Sequence, residues 1–563
     1  MKLESLEIEN VRSFKDLTKV TFESGFNLLI GPNAGGKSNL MDVLSIVVNR
    51  HLVQHWIVEN SSRPPGKIVV KRVDAHEPIL SYLDRHVEKP DDQSYIKIAL
   101  RATTEDASNI RAIFSNMDAL ADKEQAEYGT QYIKEMSLPE GFVIDRMIGQ
   151  VFEYEITDVT NLRIVENPDG TTNQEAHVFL KYLNQLGLAV LLIADLPELD
   201  LPSPIQQPYL YFSPYRSTTA QELLIQISDK NEFDLLSAYK KNTSRDTSSL
   251  MTYASFMIGS FFRKTGDNHE KFGELPAVIN LRRYLVGLGF DNLSLRTIDP
   301  NRNIYSIVIT RNRKNFDIAK ASSGEKEIIN ILFGVFIFNV KNGLIVIDEP
   351  ELHLHPRWQK KLNSIFLGLS RERDLQVIAA THSSQFITHE NINSIIRVYK
   401  DRGGNKTLIC KPNPSALPES TKDVFQVINS LNNEKLFFAD QIILVEGIDD
   451  RIIYGKALDL LKRTDELGEV VEVIEVGGKG NFEKFHNFLE AWDIKHSVIA
   501  DSDYDGNIPN VFKHPSTLEG SFSGISKFNI EKAIEQSMLI DSLETLRTDF
   551  RDIHDLVKEA LVV

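Results

Sequence analysis

The chain contains a single cysteine, Cys410, in 563 residues. That excludes an internal disulfide framework and any zinc cluster built on cysteines, and it fits a reducing compartment. Cys410 itself reads as a buried small hydrophobe. No apolar run is long enough to cross a bilayer, and the alternating start Met1 to Glu9 lacks the apolar core of a secretory signal, so a cytoplasmic protein with no membrane partner is expected. Basic residues are in deficit, 63 against 79 acidic, giving a formal net charge of -16. A surface that binds nucleic acid everywhere is thereby disfavoured, whereas a local basic groove is not. Fixed-period repeats, low-complexity tracts and sustained heptads are also missing, and the absence of long heptads weighs against a cohesin-like clamp. What is present is an ordinary globular composition, 42% hydrophobic and 25% charged, in a chain too long for one core, so two or more domains are expected.

The most informative stretch is Leu28-Leu29-Ile30-Gly31-Pro32-Asn33-Ala34-Gly35-Gly36-Lys37-Ser38-Asn39-Leu40. An apolar strand runs into Gly31, the spacing of Gly31, Gly36, Lys37 and Ser38 fits a P-loop, and Asn39 to Val48 reads as the following helix. Glycines let backbone N–H groups turn inward onto phosphate oxygens, Lys37 neutralises charge, and Ser38 suits Mg²⁺. Nearby, Glu9 to Phe14 forms a basic-aromatic turn in which Arg12 either approaches a nucleotide or is simply solvated.

Further along, Arg63-Pro64-Pro65-Gly66 signals a loop and Tyr95 to Ala102 alternates like a strand. Asp106 to Gln131 favours helix, Phe142 to Val165 looks mixed, and Ala176 to Leu188 is helical, so this region reads as an insertion. Tyr209 to Phe212 returns to a buried strand before the polar turn Ser213 to Arg216, and Glu222 to Thr265 is helical and polar again. Tyr305 to Arg311 and Phe316 to Ala319 face one another across Asn312 to Asn315. Ser322-Ser323-Gly324-Glu325 opens an apolar helix, Ile328 to Phe338, with an anion-binding shape. A fully apolar strand, Leu344 to Ile347, ends in Asp348-Glu349, and the next, Gln376 to Ala380, ends at Thr381-His382-Ser383. Asp401 to Gly404 is a hairpin-like turn, Pro412 to Pro418 a loop, and a domain boundary is placed near Asn432.

In nucleotide hydrolysis one acid assists Mg²⁺, a neighbouring carboxylate orients water, and a histidine contacts the γ-phosphate, roles suited to Asp348, Glu349 and His382. Taken singly, Asp348-Glu349 could be a plain strand end, Ser323 a helix cap, and His353, His355 and His382 structural histidines. All four pieces in this order resemble the ABC-type ATPase heads of the RecF, SMC and Rad50 group. The resemblance implies an ATP site with a Walker A motif at Gly31 to Ser38, a signature at Ser322 to Lys326, a Walker B motif at Leu344 to Glu349, a D-loop at Glu351 to Pro356 and a switch histidine at His382. Asn33, Gly35, Gly36, Lys37, Ser38, Asn39, Ser323, Gly324, Glu325 and Asp348 are the implied nucleotide-binding residues, with Ser38 and Asp348 on Mg²⁺. Such heads sandwich ATP between two copies, so a homodimer or higher oligomer through the heads or the insertion is implied. The signature lacks the second glycine of transporters, and no Q-loop glutamine is assigned.

Beyond the boundary, strands and helices alternate: Gln441 to Val445, Asp449 to Lys462, Val470 to Val476, Phe482 to Trp492, Ser497 to Ala500. Glu446 ends the first strand and is followed by Gly447 and the acids Asp449 and Asp450. Asp501-Ser502-Asp503-Tyr504-Asp505-Gly506 ends the last. Glu446, Asp501 and Asp503 can form an oxygen-rich pocket for Mg²⁺ or Mn²⁺, where two metals would activate water and stabilise the leaving oxygen of a phosphodiester. A calcium loop is the rival reading, but Phe512 stands where its bidentate glutamate belongs and a strand precedes it. The plainest alternative is acidic turns on an acidic protein.

These residues resemble a Toprim domain from about Phe438 onward, with Val476 to Phe482 as its Gly-rich turn. An ABC head joined to a Toprim domain resembles the overcoming-lysogenization-defect (OLD) nucleases, relatives of the Gabija nuclease subunit and of some retron effectors. The implied fold is α/β: ABC ATPase parts at 1–104 and 276–432, a largely helical insertion at 105–275 interrupted by a core strand near 208–216, and a Toprim domain at 433–563. The implied activity is ATP-controlled, metal-dependent DNA cleavage against phage, with Glu446, Asp450, Asp501 and Asp503 as ligands and Asp449 and Asp505 as further candidates. A partner helicase, or a reverse transcriptase with noncoding RNA, is a candidate associate. Lys513 and Lys527 are candidates for the basic residue of such nucleases, and ligands of a second metal are not assigned. The alternative is a RecF-like, ATP-gated DNA-binding or repair mediator with a degenerate pocket. A topoisomerase or primase is disfavoured because no tyrosine domain or zinc module is visible.

Overall fold

This computed structural model describes the chain except residues 54–55, 63–64, 73–82, 159–161, 168, 195–204, 215–223, 227–268, 300–303, 338, 389, 402, 413–435, 464–469, 515–517, 519–528 and 563. The expectations for Glu222 to Thr265, the Pro412 to Pro418 loop, the boundary near Asn432 and Lys527 lie wholly or largely outside the described residues. The chain divides into two compact units, one of residues 1–28, 38–381 and 401–407, the other of 29–37, 382–400 and 408–563.

In the first unit β1 (Lys2–Glu9) pairs antiparallel with β2 (Thr18–Thr21). β3 (Phe26–Ile30) is buried throughout, and the chain passes out of this unit within it, returning at Ser38 in α1 (Lys37–Ile46). β4 (Trp56–Ser62) and β5 (Pro65–Arg72) form a hairpin around the proline-rich signal, which reads as a loop in the sequence because Pro64 and Pro65 dominate it. β6 (Tyr95–Arg101) pairs with β1, and after α2 (Thr104–Ser115) and α3 (Met117–Tyr128) the strands β7 (Val151–Thr157) and β8 (Arg163–Ile164) extend the same sheet, in the order β2-β1-β6-β7-β8. These two strands lie in the stretch expected to be helical insertion, and their period-two burial marks one face on the core.

α4 (Gln174–Ala194) corrects an expectation: by length and composition it could cross a membrane, yet 67% of its apolar window is buried inside this unit. Phe179 stacks on Phe152 at 5.3 Å, and the Tyr182 hydroxyl donates to Asp106 at 3.2 Å and accepts from Asn109 at 2.8 Å. A long helix whose apolar face is covered by neighbours is a core helix.

β9 (Tyr209–Phe212) belongs to the parallel part of the unit, and an antiparallel group follows it in sequence. That group comprises β10 (Leu224–Gln226), β11 (Asn292–Asp299), β12 (Ile304–Arg311) and β13 (Lys314–Asp317), with α5 (Pro276–Gly287) before β11. The β12–β13 turn is two residues, Asn312 and Arg313, both at positive φ, so the expected four-residue turn tightens to the twist-matched form. α6 (Ser323–Ile337) leads to β14 (Leu344–Asp348), then α7 (Pro356–Arg373) and β15 (Gln376–Ala380), with Asp348 opposite Ala380. β14 and β15 are buried along their whole length, as parallel strands covered on both faces must be. Gln376 is the polar exception: its side chain exchanges hydrogen bonds with Leu3 N and O at 2.6 and 2.7 Å, tying β15 to β1.

The second unit contains β16 (Ile395–Lys400), most of β17 (Thr407–Cys410) and a compact α/β domain. In that domain β18 (Gln441–Val445), β19 (Val471–Glu475), β20 (Lys495–Ala500) and β21 (Val511–Lys513) form a parallel sheet ordered β19-β18-β20-β21. α8 (Ile448–Arg463), α9 (Phe482–Ala491) and three late helices, α10 (Ile530–Leu539), α11 (Leu543–Thr548) and α12 (Arg551–Leu561), complete it. One core joins Ile443 and Val445 to Ile453 and Leu461 of α8 and to Ile553 and Val557 of α12. Cys410 is half-buried rather than buried, its Sγ 3.6 Å from the Ala491 carbonyl.

Candidate functional sites

The P-loop is moulded onto β16. A Cβ on Gly31 would lie 2.0 Å from the Val398 carbonyl oxygen, and one on Gly35 2.5 Å from the same atom, so both positions exclude side chains sterically. Gly36 and Ala34 adopt positive φ. Lys37 is 3% exposed, its ammonium donating to the carbonyls of Gly31 and Pro32 at 2.8 and 2.9 Å, while Asn33 is exposed at the tip. His382 belongs to this unit, and partial desolvation and then the nearby Lys37 charge push its imidazole down to about 4, leaving it neutral at physiological pH.

In the first unit Ser38 is exposed and Asn39 donates to Ser13 Oγ at 2.7 Å. Arg12 is not simply solvated, since its guanidinium is ion-paired with Asp42 and lies 3.4 Å from the Asn39 amide oxygen. At the start of α6, Ser322 and Glu325 form a reciprocal cap, Ser322 N donating to Glu325 at 2.9 Å and Glu325 N to Ser322 Oγ at 3.3 Å. Burial raises the Glu325 pKa, but those bonds and the Arg311 ion pair outweigh it and hold the carboxyl below its usual range. Glu325 therefore shapes the turn, while Ser323 stays exposed and Gly324 packs so closely on His353 and Leu354 that a Cβ would meet the His353 carbonyl at 3.2 Å. His355 caps α7 through its ring, a structural role. Asp348 is buried at the end of β14, and Glu349 follows at positive φ with its N–H donating to Ala380 at 2.8 Å.

The acidic constellation sits at the carboxyl ends of adjacent strands, where open parallel sheets place their ligands. Glu446 follows β18, and its carbonyl accepts from Gly477 and Gly478, both at positive φ, which pins the Gly-rich turn beside it. Asp450 caps α8 by accepting from Gly447 N at 2.8 Å. Asp501 follows β20 and accepts from Leu518 N at 3.1 Å. Asp503 is exposed and paired with Lys479 at 2.7 Å, a hydrogen bond and charge that lower its pKa. Lys479 was missed as a site residue, although Gly477-Gly478-Lys479-Gly480 carries the signal: glycines on both sides free a lysine to reach across. Lys513 instead donates to the Tyr504 carbonyl. Glu446, Asp450, Asp501 and Asp503 do not converge tightly: among the described residues the one acid-or-histidine trio whose ligand atoms all lie within 4.8 Å is His486, Glu490 and His496.

Residues 437–503 match the model of the overcoming lysogenization defect protein-like TOPRIM domain, a span that begins just before β18 and ends on Asp503. Residues 1–189 match an AAA ATPase domain, and 237–388 an AAA domain described for the AbiEii toxin of Type IV TA systems. The chain is thus similar to OLD-like Toprim proteins over 437–503 and to AAA ATPases over the residues before it. It is 26% identical over 322 residues to the Old nuclease of Escherichia phage P2, covering 53% of each chain. It is 29% identical to the OLD nuclease of Thermus scotoductus, covering 29% of this chain and 31% of that one, and 27% identical to the endonuclease GajA of Bacillus cereus, covering 34% and 31%. It thus spans about half, or less, of the length of these curated relatives. The SMC head domain of Thermotoga maritima aligns over 73% of this chain at 12% identity with a TM-score of 0.34, too loose a likeness to add to the fold.

Proposed function

We propose that this chain is an ATP-controlled, divalent-metal-dependent DNA endonuclease of the OLD type, acting against phage in the cytoplasm. The observation that carries the reading is the placement of Glu446 and of Asp501 with Asp503 at the ends of neighbouring parallel strands β18 and β20.

Glu446, Asp450, Asp501 and Asp503 would hold Mg²⁺ or Mn²⁺. All four are hard oxygen donors, the chemistry these ions prefer, and the low Asp503 pKa keeps that carboxylate charged. Bound there, such ions supply an activated water and neutralise the leaving oxygen of a phosphodiester. Gly447 keeps the space beside Glu446 clear, and the Gly477–Gly478 turn holds Lys479 at the rim, where its charge suits the DNA backbone.

On the ATPase side, Asn33, Gly35, Gly36, Lys37 and Asn39 would bind the nucleotide, with Ser38 and Asp348 on its Mg²⁺. Glu349 would orient the attacking water and neutral His382 would hydrogen-bond the γ-phosphate. Ser323 and Gly324 would meet the nucleotide of a second copy, Glu325 supporting their turn, so that ATP drives homodimerisation through the heads. A helicase, or a reverse transcriptase with noncoding RNA, is the kind of partner that would deliver the DNA or the trigger.

Incubating the purified protein with supercoiled plasmid, Mg²⁺ or Mn²⁺, and with or without ATP tests this reading. Nicked or linear product is expected. Intact plasmid throughout, with ATP-dependent DNA binding retained, would replace it with the non-nucleolytic RecF-like mediator.

A further inference from the structure

The trio His486, Glu490 and His496 lies in the Toprim-like domain but belongs to none of the chemistry above. His486 and Glu490 stand four residues apart on α9, hence on one face. His496 is the second residue of β20 and only 4% exposed. Along that strand it is five residues before Asp501, about 16 Å away at the usual rise, so it occupies the opposite end of the sheet from the acidic constellation.

The hydrogen bonds fix the protons. His496 Nδ1 lies 2.8 Å from the Ile494 carbonyl, which can only accept, so Nδ1 carries the proton and Nε2 of the neutral ring presents a lone pair. That lone pair points at His486 Nδ1, 2.7 Å away. Glu490 Oε1 lies 4.0 Å from His496 Nδ1, and one ligand atom from each of the three residues lies within 4.8 Å of the others. An imidazole whose far nitrogen is bound to a backbone carbonyl is the usual form of a metal-ligating histidine.

We infer that His486, Glu490 and His496 form a second metal site, selective for a Zn²⁺-class transition ion over Mg²⁺. Two imidazoles and one carboxylate suit Zn²⁺, Co²⁺ or Ni²⁺, whereas the all-carboxylate constellation suits harder ions. His496 contributes Nε2 without changing tautomer. His486 moves its proton from Nδ1 to Nε2, so Nδ1 becomes a ligand with no net proton release from either ring. Two nitrogens on one tetrahedral Zn²⁺ stand about 3.3 Å apart, so the rings open by about 0.6 Å from their hydrogen-bonded contact. Exposed Glu490 and half-buried His486 leave the fourth position to water. The ion would clamp α9 to β20 across the Trp492–Asp493 turn, a structural rather than catalytic task.

The test uses the full-length protein carrying D501A and D503A, stripped with a chelator, in excess Mg²⁺. Co²⁺ titration should give one tetrahedral d–d absorption band per chain, Zn²⁺ should displace it, and Zn²⁺ should raise the melting temperature. His486→Ala, and separately Glu490→Gln, should each weaken Co²⁺ binding at least about tenfold and abolish the thermal shift while circular dichroism stays native. The inference is overturned if Co²⁺ and Zn²⁺ fail to bind in excess Mg²⁺, or if natively folded H486A binds them unchanged. Either result leaves His486 and His496 as a ring-to-ring hydrogen bond.

Discussion

Lys479 donates to the carboxylate of Asp503 across 2.7 Å, joining the Gly-rich turn after β19 to the acidic segment after β20. The lysine thus binds the same oxygens a divalent ion would use. Lys479→Ala should tighten Mn²⁺ binding, by no more than about fivefold because exposed pairs are weak. Isothermal titration reads this directly, and unchanged or weaker Mn²⁺ binding would show that Lys479 does not compete for Asp503.

Gly31 meets Val398 backbone to backbone, leaving no flexible atom to give way. Gly31→Ala should therefore remove nucleotide binding, and so should Lys37→Ala, which removes the ammonium and its bonds to the Gly31 and Pro32 carbonyls. Lys37→Ala should leave metal binding at the acidic constellation intact, as measured by fluorescent-nucleotide and Mn²⁺ titrations on one preparation. Loss of both in a folded variant would contradict separate sites.

Arg397, on the same strand as Val398, is 2% exposed and donates to the carbonyls of Trp492 and Asp493 at 3.2 and 2.6 Å. Tyr399, two residues on, donates to the Asp493 carboxylate. β16 therefore holds the P-loop glycines at one residue and the α9–β20 turn at its neighbours. Arg397→Ala leaves two buried carbonyls without their donor and a cavity, and should destabilise the second unit by about 3 kcal/mol in urea unfolding. A change under about 1 kcal/mol would mean that the turn is held without Arg397.

His51 in the first unit is mostly buried, and desolvation, reinforced by Arg50, lowers its pKa to about 4 from an ordinary 6.5. Below pH 6.5 the unfolded chain takes up this proton before the folded one does. Stability should fall as pH drops from 6.5 towards 4, by up to about 3 kcal/mol from this group. Chemical denaturation at pH 7.5 and 5 should give a smaller difference for His51→Leu than for wild type, and equal differences would remove His51 as the cause.

Much of this was legible in the sequence because the motifs end apolar strands. Asp348 at the end of β14, Glu446 after β18 and Asp501 after β20 are visible wherever an apolar run stops at a carboxylate, and parallel strands produce such runs. Long-range pairing was not legible: β7 and β8 join β1's sheet through β6, and nothing local to Val151–Thr157 announces that partner. The apolar surface of α4 is equally ambiguous until Phe152 and Asp106 are seen to cover it. Lys479 and His486 were overlooked because their meaning depends on Asp503, 24 residues on, and on His496, 10 residues on and in another element.

The most direct test of the account compares wild type with the Asp501→Ala, Asp503→Ala variant in plasmid cleavage and ATP hydrolysis, measured side by side with Mg²⁺ or Mn²⁺. The variant should hydrolyse ATP at the wild-type rate and nick DNA at least about a hundredfold more slowly, since it lacks the ligands of the activating metal. Cleavage at the wild-type rate by the folded double variant would contradict it.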